Sequence, residues 1–510
     1  MKNNLFLIAT SLFSLGVFAQ DRNSVALYGT DNLNGTARYQ SMSGAFGALG
    51  GDMSAINTNP AGSAVFSSTV FTLSATNYNI DNKTSYFDGR SETDFSQLKL
   101  NQIGGALVFE NGNSASKWKK FTMAFNYELS NNFENEYLAI GTGNTSIANY
   151  FVNNASGYSV GDLEPIGNEN ITQAYINIGR DLGYSAQQGF LGYQNYIIDP
   201  ATTDNPDETS YVSNASFSNG LQQEQLVITS GYDSKFTLNF ASQYSDNIYI
   251  GAGFNFYSLE RRTITQFDEY GYDNNSTLQY VQFDNDLYTY GNGFSFNLGG
   301  IAKLNDMIRV GASYQSPIWY DMTDELFQSI NTDYLANPDD TNATYSEASP
   351  NATLIFPSYD IYIPGKYTGS IAAIFGPYGL LSLDYSYQDM SNAKLKPTYD
   401  PLFAEENQAI DDEFQAVSTL RLGGEFRLRN FSFRGGYRFE GSPYKDEFTM
   451  SNLNGYSLGL GYNFGASKLD LGFSQAFRDY NIPLYNTGLT STAAIDNKNT
   501  NVTLSYTLSL

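Results

Sequence analysis

Seven charged residues in the last third of this 510-residue chain have a spacing suited to one task. Asp384, Arg421, Glu425, Arg427, Arg434, Arg438 and Glu440 lie in three stretches, 379–395, 417–429 and 431–440, that alternate apolar and polar residues. A side-chain period of two puts each polar set on one face of a strand. Guanidinium and carboxylate groups gathered there pair with each other, and an arginine left over offers a planar two-donor grip on an anionic head group. Other chemistry is excluded by composition. The chain has no histidine, so no Ser-His-Asp arrangement exists, and with no cysteine either it lacks the commonest haem and transition-metal ligands. No enzyme activity and no cofactor are expected. The acidic pieces Asp199–Glu208 and Asp339-Asp340 lack the spacing of a calcium loop and read as solvated loops.

These residues need a wall to stand on. Forty Tyr, 36 Phe and 46 Gly with only 2 Trp fit strands and tight turns. A net charge of −25 argues against nucleic acid as a partner and against electrostatic binding to anionic lipid. Lys2, the apolar run Leu5–Val17 and Val17-Phe18-Ala19 predict a secretory signal over 1–19, cut after Ala19. Beyond it no stretch has the length of a helical span, but barrel strands hide their apolarity by alternation. Fourteen alternating segments follow, from Val70–Ile80 through Phe121–Leu129 to 500–510. Their connections are short (Ser245–Asn247, Asn305–Met307, Gly376–Tyr378, Arg429-Asn430) in turn with long ones (81–100, 130–233, 265–289, 317–366, 396–416, 441–454, 481–499). This asymmetry predicts an all-β fold: a 14-stranded antiparallel transmembrane β-barrel over 69–510, with both chain ends on the short-turn side.

Two regions depart from the strand pattern. Residues 20–68 include the small-residue run Ala37–Gly62, which has too few bulky apolar side chains for a core of its own and predicts a plug inside the barrel. The connection 130–233 is too long to be structureless, and Ile171, Ala174, Tyr175, Ile178 and Leu182 have helical spacing, so a partly helical insert at the outer mouth is expected. The pairs Gly104-Gly105, Gly299-Gly300 and Gly435-Gly436 are candidate sites for a strand interruption. Arg261-Arg262 is expected at the outer rim, against lipopolysaccharide phosphates, acidic loops or a ligand carboxylate. Lys117, Lys119 and Lys120 read as solvated lysines of a short turn.

The plug segment resembles that of the FadL/TodX family of outer-membrane transport proteins: Gly44-Ala45, Asp52, Ser54-Ala55 and Asn59-Pro60-Ala61-Gly62 follow its pattern. Arg309–Pro317, Leu380–Tyr387 and Phe433–Tyr437 resemble the Bacteroidota branch of that family. The resemblance implies a Gram-negative outer-membrane protein taking up hydrophobic small molecules, such as long-chain fatty acids, passively through a plugged barrel with a lateral exit. The alternative is a non-transporting barrel that serves as a subunit or carrier in a larger outer-membrane complex. Expected partners are outer-membrane lipid and lipopolysaccharide, a hydrophobic ligand and, in the alternative, other outer-membrane proteins.

Overall fold

The computed structural model describes residues 21–30, 32–113, 115–203, 205–336 and 342–510, so the signal segment 1–19 and Asp339-Asp340 lie outside the described residues. Among the described residues, fourteen long strands build the wall. The first seven are β1 (Val70–Tyr86), β2 (Gly89–Glu110), β3 (Trp118–Asn132), β4 (Leu221–Tyr244), β5 (Ile248–Tyr270), β6 (Leu278–Lys303) and β7 (Ile308–Gln315). The others are β8 (Lys366–Ile374), β9 (Gly379–Asp389), β10 (Ala416–Leu428), β11 (Phe431–Glu440), β12 (Leu453–Asn463), β13 (Ser467–Pro483) and β14 (Thr492–Ser509). Each pairs antiparallel with the next, and β14 closes on β1 from Val70↔Ser509 to Ser85↔Ala494.

Outward positions near the short turns are apolar and exposed. On β5 these are Ile248, Ile250, Phe254 and Phe256, after which Ser258, Glu260 and Arg262 take over the same face. That band matches the ~9–11 tilted residues a strand needs to cross a bilayer. The strands continue well above it. Residues 81–100, expected as a loop, are two paired strand ends joined at Phe87-Asp88, and strands also occupy most of 265–289 and 481–499. Above the lipid the outward face turns polar, so the alternation fades while the ladder hydrogen bonds persist. The strand expected over 308–316 likewise resumes at Ile318–Tyr334 on β6. Pro317 has no N–H, and Ser316 bridges the interruption: its N–H donates to the Phe296 carbonyl (2.8 Å) and its Oγ accepts from Phe296 N–H (2.9 Å).

The insert proper spans 144–220 and carries α2 (Ala148–Ala155), α3 (Ile171–Leu182) and α4 (Tyr184–Gln194). Asn170 and Gln173 form a reciprocal cap at the start of α3. Tyr150, Phe151 and Phe190 bury themselves against Phe267 and Phe283 of the wall and against Tyr485, which seats the helices in the outer mouth. The buried Glu269 carboxylate anchors the entry to α2, accepting from Ser146 Oγ (2.5 Å), Ile147 N–H (3.0 Å) and Gln223 Nε2 (2.6 Å).

The first described residues and the C-terminus lie apart. Leu510 N–H donates to Thr69 at the short-turn rim (2.9 Å). The first described helix, α1 (Arg22–Gly29), instead stands in the outer half of the lumen against α5 (Pro401–Glu413). Arg22 Nε bonds Glu413 at 2.7 Å, and Arg22 N–H bonds Glu406 at 2.9 Å. The expectation that both ends share the short-turn side fails because Val25, Ala26 and Tyr28 bury an apolar face among Tyr320, Ile361, Phe403 and Tyr444.

Candidate functional site

The plug is held by the polar inner wall. Gly44 takes a left-handed turn (φ 76°), and Gly50 (φ 59°) lets the chain pass Gly62, where a Cβ would come within 2.8 Å of the facing backbone. Asp52 accepts from Thr36 Oγ1 (2.7 Å) and Ser54 N–H (3.0 Å), tying the two ends of the segment together. Asn59 Oδ1 caps the Ala61 N–H (3.1 Å) at the turn opened by Pro60, while its amide donates to the Gly47 and Gly300 carbonyls (2.8 and 3.0 Å). The wall answers with Asp384, which accepts from Gly47 N–H (2.8 Å), and with Ser505, Ser457, Asn239 and Ser313 on plug backbone or side chains.

The glycine pairs expected to interrupt strands do something else. No register shift occurs at any of them. Gly104 faces Met53, Gly299 faces Asn59 and Pro60, and Gly436 faces Met42 and Ser43, so their missing Cβ atoms make room for the plug.

All seven expected ladder residues are on the lumen side. Glu425 is the hub: Arg38 of the plug reaches it at 3.0 Å, Arg434 at 2.6 Å and Arg427 at 2.6 Å. Arg434 also pairs with Asp470 (2.7 Å), a member that the sequence reading left out. Glu440 sits between Arg438 (2.6 Å) and Arg478 (3.0 Å), and Arg478 was likewise missed although it alternates in phase on β13. Arg421 stands opposite Arg438 and Asp384 in register. Arg429, placed with Asn430 in a short connection, occupies the exposed β10–β11 turn (φ 54°). Arg261 and Arg262 part company because successive strand residues face opposite ways. Arg262 points outward and pairs with Asp286 (2.5 Å). Arg261 faces the lumen, and no carboxylate among the described residues lies in ion-pair range of it.

Above the plug is a cavity of about 620 Å³, lined on one side by Tyr137, Val227, Leu287, Leu326 and Ile482 and also by Arg261 and Arg438. Its wall is incomplete at one place. β2 and β3 pair from Glu110↔Lys120 only up to Gln102↔Glu128. Higher up, β2 stays on β1, and β3 with its continuation Asn135–Gly143 stays on β4. The break coincides with a bulge in β2: Ser74 faces Gln102 but Ala75 faces Leu100, leaving Asn101 extra, its amide turned inward onto the Gly35 carbonyl (2.7 Å). Among the described residues every hydrogen bond across the seam uses a side chain, and toward the hairpin tip the two backbones touch at Gly89 and Gly141. Lys99 Nζ reaches Asn132 Oδ1 and Glu134 Oε1 (both 2.8 Å), Thr93 Oγ1 donates to the Glu136 carbonyl (2.5 Å), and lumen-facing Asn82 donates to Asn135 and Glu136 (both 2.7 Å). The Asn135–Gly143 strand therefore runs on the lumen side of the β1–β2 hairpin. Asn132, Phe133 and Glu134 line both the seam and the cavity, and Leu98 and Leu100 are 71% and 51% exposed on its outer lip.

The fold has known counterparts. The crystal structure of a Pseudomonas aeruginosa FadL homologue superposes with a TM-score of 0.54 at 13% identity, over 94% of this chain and 99% of that one. The Pseudomonas putida toluene transporter TodX (0.49, 12%, 94% and 100%) and the Ralstonia pickettii toluene transporter TbuX (0.46, 13%, 94% and 99%) are further matches. No protein-family model and no curated protein sequence matches the chain. At 13% identity, the likeness to the Pseudomonas aeruginosa FadL homologue shows a shared fold.

Proposed function

We propose that this protein is an outer-membrane channel for passive uptake of hydrophobic small molecules, which enter the cavity beneath the insert and leave sideways through the β2–β3 seam into the bilayer. The observation that carries the reading is the shared boundary of cavity and seam at Asn132–Glu134. An apolar molecule gains about 25 cal/mol per Å² on leaving water, so a route that ends in lipid runs downhill without an energy source. The plug blocks the axial route, which a polar porin would need open. Arg261 narrows the cargo to molecules with an anionic end, such as long-chain carboxylates: it is an arginine in a mostly apolar cavity whose charge no carboxylate among the described residues neutralises. A carboxylate seated there would satisfy the guanidinium while its chain lies along Leu287 and Leu326. Arg434 and Arg438, already paired, belong to plug and wall support.

The test is uptake of a labelled long-chain carboxylate and of toluene by cells that express the protein, compared with Arg261→Met. Saturable uptake of both, with the carboxylate alone weakened about tenfold or more by the substitution, supports the reading. No uptake of either above vector-only cells would overturn it.

A further inference from the structure

We infer that the short-turn mouth is a docking surface for the acidic face of a soluble periplasmic protein. The chain carries 52 acidic and 27 basic residues, yet the lumen side of this rim is cationic. Lys303 on β6 and Arg309 on β7 are direct cross-strand partners and both face inward, a like-charge pairing that costs stability unless an anion offsets it. Among the described residues no carboxylate forms an ion pair with Lys303 or Arg309 themselves. Arg309 Nη1 donates to the Leu49 carbonyl (3.2 Å), Lys120 Nζ to the Phe66 carbonyl (2.5 Å), and Lys303 Nζ lies 5.1 Å over the Tyr249 ring. Lys468 on β13 makes no ion pair among the described residues, although Asp470 and Glu425 stand within electrostatic range of it alongside Arg38 and Arg427. Glu110, which stands opposite Lys120 in register, and Asp246 and Asp306, the other acids of the same rim, are exposed and form no ion pair with these cations among the described residues.

Position selects the kind of partner. The outward face of this rim carries Phe109, Trp118, Phe121, Tyr378 and Phe431, the aromatic set that meets lipid head groups. The cations stand behind them, toward the aqueous mouth, out of reach of a bilayer plane. An acidic surface approaching from the periplasm meets them directly, and meets the plug as well, since Leu49 and Phe66 are plug residues. Attraction of this kind acts on encounter rate and weakens steeply with salt.

The inference rests on the orientation of the proposed reading, short turns toward the periplasm, but not on transport. The experiment is fluorescence anisotropy with a labelled 20-residue poly-glutamate as probe and the barrel in phosphatidylcholine nanodiscs. Binding is expected at 50 mM salt despite the overall negative charge, falling at least tenfold at 300 mM. The triple variant K303Q/R309Q/K468Q should lose at least tenfold in affinity, whereas K83Q/K498Q on the far rim should not. A photo-crosslinking version of the probe on the unmodified protein keeps the test open should the triple variant misfold: crosslinks should map to 117–120, 303–309 and 465–468. Absence of binding, crosslinks elsewhere, or equal binding by the triple variant would overturn the inference. So would competition by millimolar inorganic phosphate, which would mark a small-anion site, or loss of binding in phosphatidylglycerol nanodiscs, which would mark a lipid site. Failed uptake with intact poly-glutamate binding would count against transport only.

Discussion

Neutralising Glu425 should loosen the plug more than removing the plug's own arginine. Glu425→Gln keeps the side chain's shape but deletes the charge shared by Arg38, Arg427 and Arg434. The three do not suffer equally. Arg434 keeps Asp470 at 2.7 Å, and the Arg427 side chain, 35% exposed, reaches water. Arg38, on the plug, is left with the Gly51 carbonyl at 3.1 Å, the Phe46 ring 5.0 Å from its guanidinium and the more distant charge of Asp52, none of which is a direct ion pair. Stranding a buried charge costs about 3–5 kcal/mol. If about 3 kcal/mol of this falls on the docked state, undocking becomes about 10²-fold more populated, at 1.4 kcal/mol per decade. Arg38→Met leaves Glu425 with two arginines and should cost less, under about tenfold by the same arithmetic. Native-state hydrogen exchange in nanodiscs reads the difference: plug amides over 37–62 should exchange about 10²-fold faster in Glu425→Gln, while the β10 and β11 ladder stays protected. Unchanged plug exchange in a folded Glu425→Gln barrel, or a larger effect from Arg38→Met, would refute the hub assignment.

Other expectations are equally open to measurement. Gly311→Val places a Cβ 2.2 Å from the Gly47 carbonyl, so the plug cannot seat and single-channel conductance should rise; a closed, unaltered barrel would contradict the packing. Glu269→Gln weakens the anchor of α2, and limited proteolysis should cut within 144–220 faster than in the parent, with the barrel intact. Asp284, above the membrane band, is pushed up to about 6 by burial and by Asp268. The folded form therefore binds the proton more tightly than the unfolded form. The destabilisation from its charge is absent below about pH 4 and fully present above about pH 6, so protease resistance of the outer strands should improve between pH 7.5 and 5. Asp284→Asn should flatten that trend, and a variant with the parent's full pH dependence would assign it elsewhere.

Much of this was legible because barrels write their faces into the sequence. The alternation of Phe121, Met123, Phe125 and Tyr127 located β3, and the in-phase arginines of β10 and β11 were read to the correct side of the wall. What escaped notice has physical reasons. Above the lipid both faces are polar, so Asp81, Lys83 and Ser85 look like a loop although they sit in a continuous ladder. The bulge at Asn101 leaves no compositional mark, because its cause is an extra residue between Gln102 and Leu100, whereas the conspicuous glycine pairs answer to the plug. Arg261 and Arg262 look alike in sequence, and only register against Gly231 and Ser230 tells the lumen-facing one from its outward neighbour. The upward course of α1 depends on contacts with α5, nearly four hundred residues away, which local pattern cannot show.

The seam decides the account. Deleting Asn101 removes the extra residue of β2 and lets Leu100 follow Gln102 with regular alternation, so β2 and β3 can pair above Glu128 and the side exit closes. With the folded deletion variant in the outer membrane, uptake of the labelled long-chain carboxylate should fall to the level of cells without the channel, while the plug amides over 42–62 keep their exchange rates and only the stretch around Gly35, whose carbonyl loses the Asn101 amide, exchanges faster. Parent-level uptake through a barrel whose β2–β3 amides have become protected would contradict a lateral route.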